Sequence, residues 1–312
     1  MRKVLPLALT GLFALTACQL ADHADPAGEA RRLDTMAALP LYAYIPDPAS
    51  DGVRAVNRAQ WILGKKCMVG LGFAGFAMLD TKAVESTYPV RPGALTGEGS
   101  SRDDSPYGVV DPDVTSEHGY DNPKPDTSTQ PQEWPDDQYA ALTGTFASGD
   151  SRFAHGHRIP GGGCLGQAMR KIYGPEPKAE KANGVKLTGS YPLVFRLWYE
   201  SHKKASNDPA WKKADRAWSA CMKKKGFSYP DPDKAAIDSH WLGRGTPSDE
   251  EKKTATADAR CKLDTGYVQA VQSVEARAQK TLIGENKQKL EAMRAAVDRA
   301  VRTARTVIAQ EK

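Results

Sequence analysis

Large apolar side chains are scarce in this chain. Leu, Ile, Val and Phe together make up 53 of its 312 residues, or 17%. No run of about 18 consecutive apolar residues occurs, which excludes a multi-span membrane protein. So thin an inventory signals disorder when net charge is also extreme, because too little apolar area is buried to offset chain entropy. Here 43 Lys and Arg stand against 38 Asp and Glu, and a net +5 does not force expansion. Such a near-neutral balance also argues against nucleic acid as a partner. Catalytic signatures are missing as well: there is no Gly-x-Ser-x-Gly, no His-Glu-x-x-His and no P-loop. Residues 50–84 and 163–312 are no richer in the four large residues, yet they hold 27 Ala and five of the six Trp. Helices packed through small residues around Trp are therefore expected.

What is present begins at the N-terminus. Arg2 and Lys3 precede an apolar stretch from Val4 to Ala17, too short to span a bilayer as a helix and built like an export signal. It ends in Leu15-Thr16-Ala17-Cys18, which resembles the lipobox of bacterial lipoproteins. That resemblance implies removal of residues 1–17 as a signal peptide and a diacylglyceryl group on Cys18. Two acyl chains anchor stably where one is marginal. The membrane, reached through lipidated Cys18 on the extracytoplasmic face, is thus the first expected partner. Residues 18–49, rich in Ala, Asp and Pro, read as the anchor and a flexible tether. The remainder, 50–312, reads as one extracytoplasmic domain.

Within that domain a helix is expected over 50–69, with Asp47-Pro48 or Ser50 as its start and Val53, Val56, Leu63 and Cys67 on one face. Residues 85–162 change character, with 9 Pro, 10 Gly and 13 acids against 5 bases, and read as an irregular acidic insertion holding one short helix over 135–142. Further helices are expected over 164–173, over 191–205, and from Asp208-Pro209 to Gly226. The last segment, 246–310, opens at Thr246-Pro247. It carries Val271, Val274, Ala278, Leu282, Leu290, Met293, Val297, Val301, Ala304 and Ile308 in one phase, which predicts a single long amphipathic helix packed on its own domain. Pairing of that helix with a partner is the alternative. The fold class is therefore mainly α: a disulfide-stapled helical domain with a long C-terminal helix and a long irregular insertion. Charge is divided, with 14 bases and 20 acids in 18–173 against 27 bases and 18 acids in 174–312. The acidic insertion can lie on the basic helices, or a basic face can meet anionic lipid or wall polymer.

Cys67-Met68-x-x-x-Gly72-Phe73 recurs as Cys221-Met222-x-x-x-Gly226-Phe227. Each copy sits where a helix should end, and each is followed by a later helical cysteine, Cys164 and Cys261. A duplicated unit selects Cys67–Cys164 and Cys221–Cys261 among three possible pairings, with metal binding as the rival. Even cysteine number in an exported chain favours disulfides. The lipobox, the Gly-Gly-Gly-Cys164-Leu-Gly-Gln-Ala helix, the Trp218-Ser-Ala-Cys-Met-Lys-Lys-Lys-Gly-Phe unit and Ala257-Asp258-x-x-Cys261 are similar to actinobacterial cell-envelope lipoproteins of unassigned function. That resemblance implies location and architecture and carries no activity or ligand.

Four patterns suggest chemistry. Cys164 at a helix start with His155 or His157 as base would make a cysteine nucleophile, and the same three residues a zinc site lacking a fourth ligand. Ser201-His-Lys-Lys204 matches Ser-x-x-Lys without its companion motifs. Asp111, Asp113 and Asp121 have the type but not the spacing of a calcium loop. The expectation is a non-catalytic binding or accessory protein of the cell envelope, without cofactor or metal, serving an envelope complex or wall polymer. A wall hydrolase or amidase using Cys164 or insertion carboxylates is one alternative, and a helical scaffold pairing through the C-terminal helix the other.

Overall fold

The computed structural model describes residues 38–47, 49–93, 101–102, 106–122, 130–175, 177–189, 191–243 and 246–311. The expected signal peptide, Cys18 and the first part of the expected tether lie outside the described residues. The described chain is mainly helical. Its helices are α1 (Asp51–Gly70), α2 (Thr81–Val84), α3 (Pro112–His118), α4 (Asp136–Thr143), α5 (Gly163–Tyr173), α6 (Pro192–Ala205), α7 (Pro209–Lys224), α8 (Pro232–Ala236), α9 (Asp249–Asp264), α10 (Tyr267–Glu285) and α11 (Lys287–Ala309). Among the described residues eight short strands make four two-stranded ribbons: β1 (Thr87–Val90) parallel to β4 (Gln130–Glu133), and antiparallel pairs of β2 (Ser101–Arg102) with β3 (Asp121–Asn122), β5 (Phe153–Ala154) with β6 (His157–Arg158), and β7 (Glu180–Ala182) with β8 (Val185–Leu187).

Local chemistry explains the helix starts. Ser50 Oγ accepts from Val53 N at 3.3 Å, and Asp51 sits in the first turn where the helix dipole favours an anion. Asp208 caps α7 by accepting from Ala210 N at 2.7 Å, with Pro209 at the first position. Ser248, not Thr246, caps α9, accepting from Glu251 N at 3.1 Å. The duplicated heptapeptides end α1 and α7 in the same way. Gly72 and Gly226 take φ of +95° and +92°, and Phe73 N and Phe227 N donate back to the carbonyls of Met68 and Met222 at 3.1 and 3.0 Å.

Two disulfides follow from these ends. Cys67 bonds Cys164 and Cys221 bonds Cys261, with Cα atoms 5.6 and 5.7 Å apart. They close loops of 97 and 40 residues, and on a chain-entropy estimate each destabilises the unfolded chain by about 4–5 kcal/mol. Each bridge sits in its own core. The first packs with Trp61, Met68, Phe73, Phe76, Trp134 and Leu142, the second with Trp211, Trp218, Met222, Trp241, Val268 and Val271. Trp134 stacks on Trp61 and on Phe76, with ring centroids 5.9 and 5.1 Å apart.

The insertion is tied into both cores. Tyr107, Val109 and Tyr120 are buried among the Trp of the second, and Trp134, Ala141 and Leu142 in the first. It carries α3 in addition to the expected α4, and α3 packs along α9, so an acidic stretch does lie on a helix of the basic half.

Two expectations need correction. The tether does not reach residue 49: a 3-10 turn over Pro40–Tyr44 buries Leu39 and Leu41 almost completely, and Leu41 N donates to Gln279 Oε1 at 2.9 Å. The Ala- and Pro-rich composition hid two leucines that act as plugs. The C-terminal segment is also not one helix but three. It breaks at Thr265-Gly266, where Gly266 is left-handed at φ +61°, and again at Asn286, whose side-chain amide donates to Leu282 O at 2.9 Å. Periodicity reports which face is buried, and the stripe from Val271 to Ile308 continues through the break at Asn286. The stripe is spent within the chain, α10 on α6 and α7, and α11 on α1 and α5.

Candidate functional site

The residues singled out from sequence are dispersed. Cys164 is fully buried and bonded to Cys67, so it offers no thiolate, which overturns the cysteine-nucleophile reading and the zinc set with it. His155, in the turn between β5 and β6, holds Leu71 O at 3.0 Å through Nδ1 and sets its ring edge-on to Phe73, 4.8 Å between centroids. His157 is exposed. Ser201 is fully buried and donates to Trp198 O at 2.8 Å, whereas Lys204 is exposed, so Ser-x-x-Lys makes no pair. Asp111 caps α3 through Asp113 N and Val114 N, the role of an acidic turn. Among the described residues no group of three or more His, Cys, Asp or Glu is placed to hold a metal ion.

Sequence reasoning missed two buried polar networks. Glu275 on α10 is fully buried and receives the Tyr107 hydroxyl at 3.1 Å, with the Ser201 hydroxyl at 3.4 Å and His202 Nδ1 at 3.2 Å. The bond to Glu275 holds the His202 imidazole above its usual pKa. On α9, Asp258 receives Trp218 Nε1 at 2.8 Å and Lys262 Nζ at 3.1 Å, while Lys262 also donates to Val109 O at 2.9 Å. Complete burial pushes Asp258 up to about 6 despite these partners. The Asp258–Lys262 pair is closed to solvent, whereas His202 reaches the surface at 36% exposure, and both networks link the insertion to helices of the basic half. Glu275 and Gln279 each follow a stripe residue, Val274 and Ala278, which was the available signal.

A concave site among the described residues lies elsewhere, between α5, the β7–β8 ribbon, the start of α6 and α11. The sequence builds it from four separate stretches. Along α5, Met169 and Tyr173 face it. After Gly174 come Pro175 and Pro177, which cannot continue a helix, and then β7 and β8, joined at Asn183-Gly184 with φ of +47° and +77°, the left-handed pair of a two-residue hairpin. Pro192 and Leu193 open α6, and Met293, Ala296 and Val297 come from α11. The groove has a volume of about 480 Å³, within the range of small-molecule sites. Its floor is apolar and its polar lining is nearly all cationic: Arg170, Lys178 and Lys289, with Glu180 the one described acid. Glu180 is engaged, accepting from Arg196 Nε at 3.0 Å. Burial raises the Tyr173 hydroxyl above its usual pKa, as expected of a phenol set into an apolar wall.

No described helix is long and apolar enough to cross a membrane. The chain matches no family model, no curated protein and no solved structure at a significant level.

Proposed function

We propose that the protein is a lipid-anchored, non-catalytic binding or accessory protein of the cell envelope, held by Cys18 on the extracytoplasmic face, and that the groove beside α11 is its ligand site. The observation that carries the binding reading is the groove itself: an apolar floor large enough for a small molecule, with a few polar groups confined to its rim. Two disulfides are consistent with an oxidising compartment. The Leu-Thr-Ala-Cys18 sequence supports the anchor. The hydrolase alternative has lost its thiol to the Cys67–Cys164 bridge, and the scaffold alternative competes with the intramolecular packing of α11.

Two measurements test this. Mass spectrometry of the N-terminal peptide from membranes should find a diacylglyceryl thioether on Cys18; a chain ending elsewhere, or an unmodified Cys18, removes the anchor. N-phenyl-1-naphthylamine, an uncharged apolar fluorophore, should brighten on mixing with the full chain and not with Ala296→Trp, which fills the groove. Equal brightening with both would move the ligand site elsewhere.

A further inference from the structure

We infer that the groove takes a single-chain amphiphile with an anionic head group, of which a fatty carboxylate is the simplest member. The inference rests on the groove being a binding site, as proposed above. Charge complementarity carries the step to an anion. Lys178 and Lys289 both line the groove, both are exposed, and neither has an ion-pair partner among the described residues. Glu180, the described acid beside them, is already paired with Arg196, so the described residues of the rim present net positive charge to whatever enters.

Lys289, Met293 and Val297 stand four residues apart on α11, so one face runs from a cation to apolar side chains over about 12 Å. That order, charge and then hydrocarbon, is the order within an amphiphile. Met169, Tyr173 and Leu193 form the facing wall. The volume, about 480 Å³, falls in the lower part of the usual range for small-molecule sites and suits one chain better than two.

The position of the groove supports a lipidic source. Leu193 and Met293 belong also to the cluster that buries Leu41. Arg294, beside Met293, donates to Ala43 O at 3.2 Å and lies over the Tyr44 ring at 4.6 Å. The N-terminal chain therefore joins the fold next to the groove. Twenty residues separate Cys18 from Ala38, and a flexible coil of that length spans about 25 Å on average. An anchor at Cys18 through a connection of that length keeps the groove near the bilayer surface, where single-chain anions concentrate.

The test uses the full chain carrying Cys18→Ser, so that no anchor acyl group competes, and titrates laurate and dodecanol in parallel at low ionic strength. Laurate should bind about tenfold more tightly than dodecanol, the size expected of two exposed charge contacts. Lys178→Ala/Lys289→Ala should bring the two affinities together by weakening laurate alone, and these exposed substitutions leave the core intact. Ala296→Trp should weaken both ligands by about tenfold or more, with the melting transition confirming that it folds. Equal affinity of the native chain for laurate and dodecanol would overturn the anionic head and leave the apolar groove standing. Binding of neither would overturn both readings, and a laurate preference that survives the double Lys variant would overturn the assignment of the head group to this rim.

Discussion

Lys262 and Asp258 lie one turn apart on α9 with Nζ and Oδ2 at 3.1 Å, and each side chain is only 1% exposed. Removing one partner leaves an uncompensated buried charge. Lys262→Met should therefore destabilise the chain by about 3–5 kcal/mol, whereas Asp258→Asn/Lys262→Met, which keeps an acceptor for Trp218 Nε1, should recover most of that loss. Urea unfolding of the two variants checks this; a single variant as stable as the double would show that the pair contributes no coupling.

The same carboxyl makes stability depend on pH. Burial raises the folded Asp258 from 3.8 to about 6, so in that window the folded chain holds a proton that the unfolded chain releases. Its contribution is greatest below the window and falls as pH rises through it. The native chain should lose unfolding free energy across this interval relative to the double variant, and parallel pH profiles would refute the assignment.

His202 acts at higher pH. Its bond to Glu275 raises the folded imidazole above 6.5, so the contribution is complete below 6.5 and is lost as pH climbs through the folded value. His202→Gln should flatten the decline in melting temperature above that pH. A decline of unchanged slope would place its origin in another group.

Two glycines separate close packing from chain flexibility. A Cβ at Gly163 would lie 2.3 Å from Leu142 O and 2.5 Å from Gly144 N, at φ +67°. Gly163→Ala should cost more than about 2 kcal/mol, through strain at the α4–α5 junction. At Gly284, inside α10, a Cβ meets nothing within 4 Å, and Gly284→Ala should stabilise by about 0.4–1 kcal/mol. Denaturation midpoints moving in the same direction for both would contradict this.

Leu41 gives a test of the domain boundary. It is fully buried between α6 and α11, so Leu41→Ala should cost about 2–5 kcal/mol. A chain beginning at Ser50 should be less stable still, because Leu39 and the bond to Gln279 go with it. Neither change would matter to a tether.

How much of this was legible depends on whether a feature is local. Caps at Ser50 and Asp208, the helix ends at Gly72 and Gly226, and both disulfides follow from short motifs, because capping and duplication are properties of neighbouring residues. The Asn183-Gly184 hairpin went unread, because the strands beside it are too polar to announce themselves and a two-residue turn signal means little without them. Asp258 and Lys262, spaced four apart, carry no local sign of burial, because the group that covers them, Val109 of the insertion, is distant in sequence. The groove was not legible at all, since Tyr173, Lys178, Leu193 and Met293 meet only through the packing of α5, α6 and α11. Asn286 misleads in the opposite sense, because the stripe keeps its phase across a bend that the apolar residues themselves do not register.

The bridge between Cys67 and Cys164 encircles residues 68–163, which include the whole acidic stretch of the chain. A protease cutting anywhere inside that ring would open a peptide bond without releasing a fragment. The clipped protein would migrate as one species until reductant is added and then part into two pieces, so an intact band without reductant says nothing about whether this region has been cleaved.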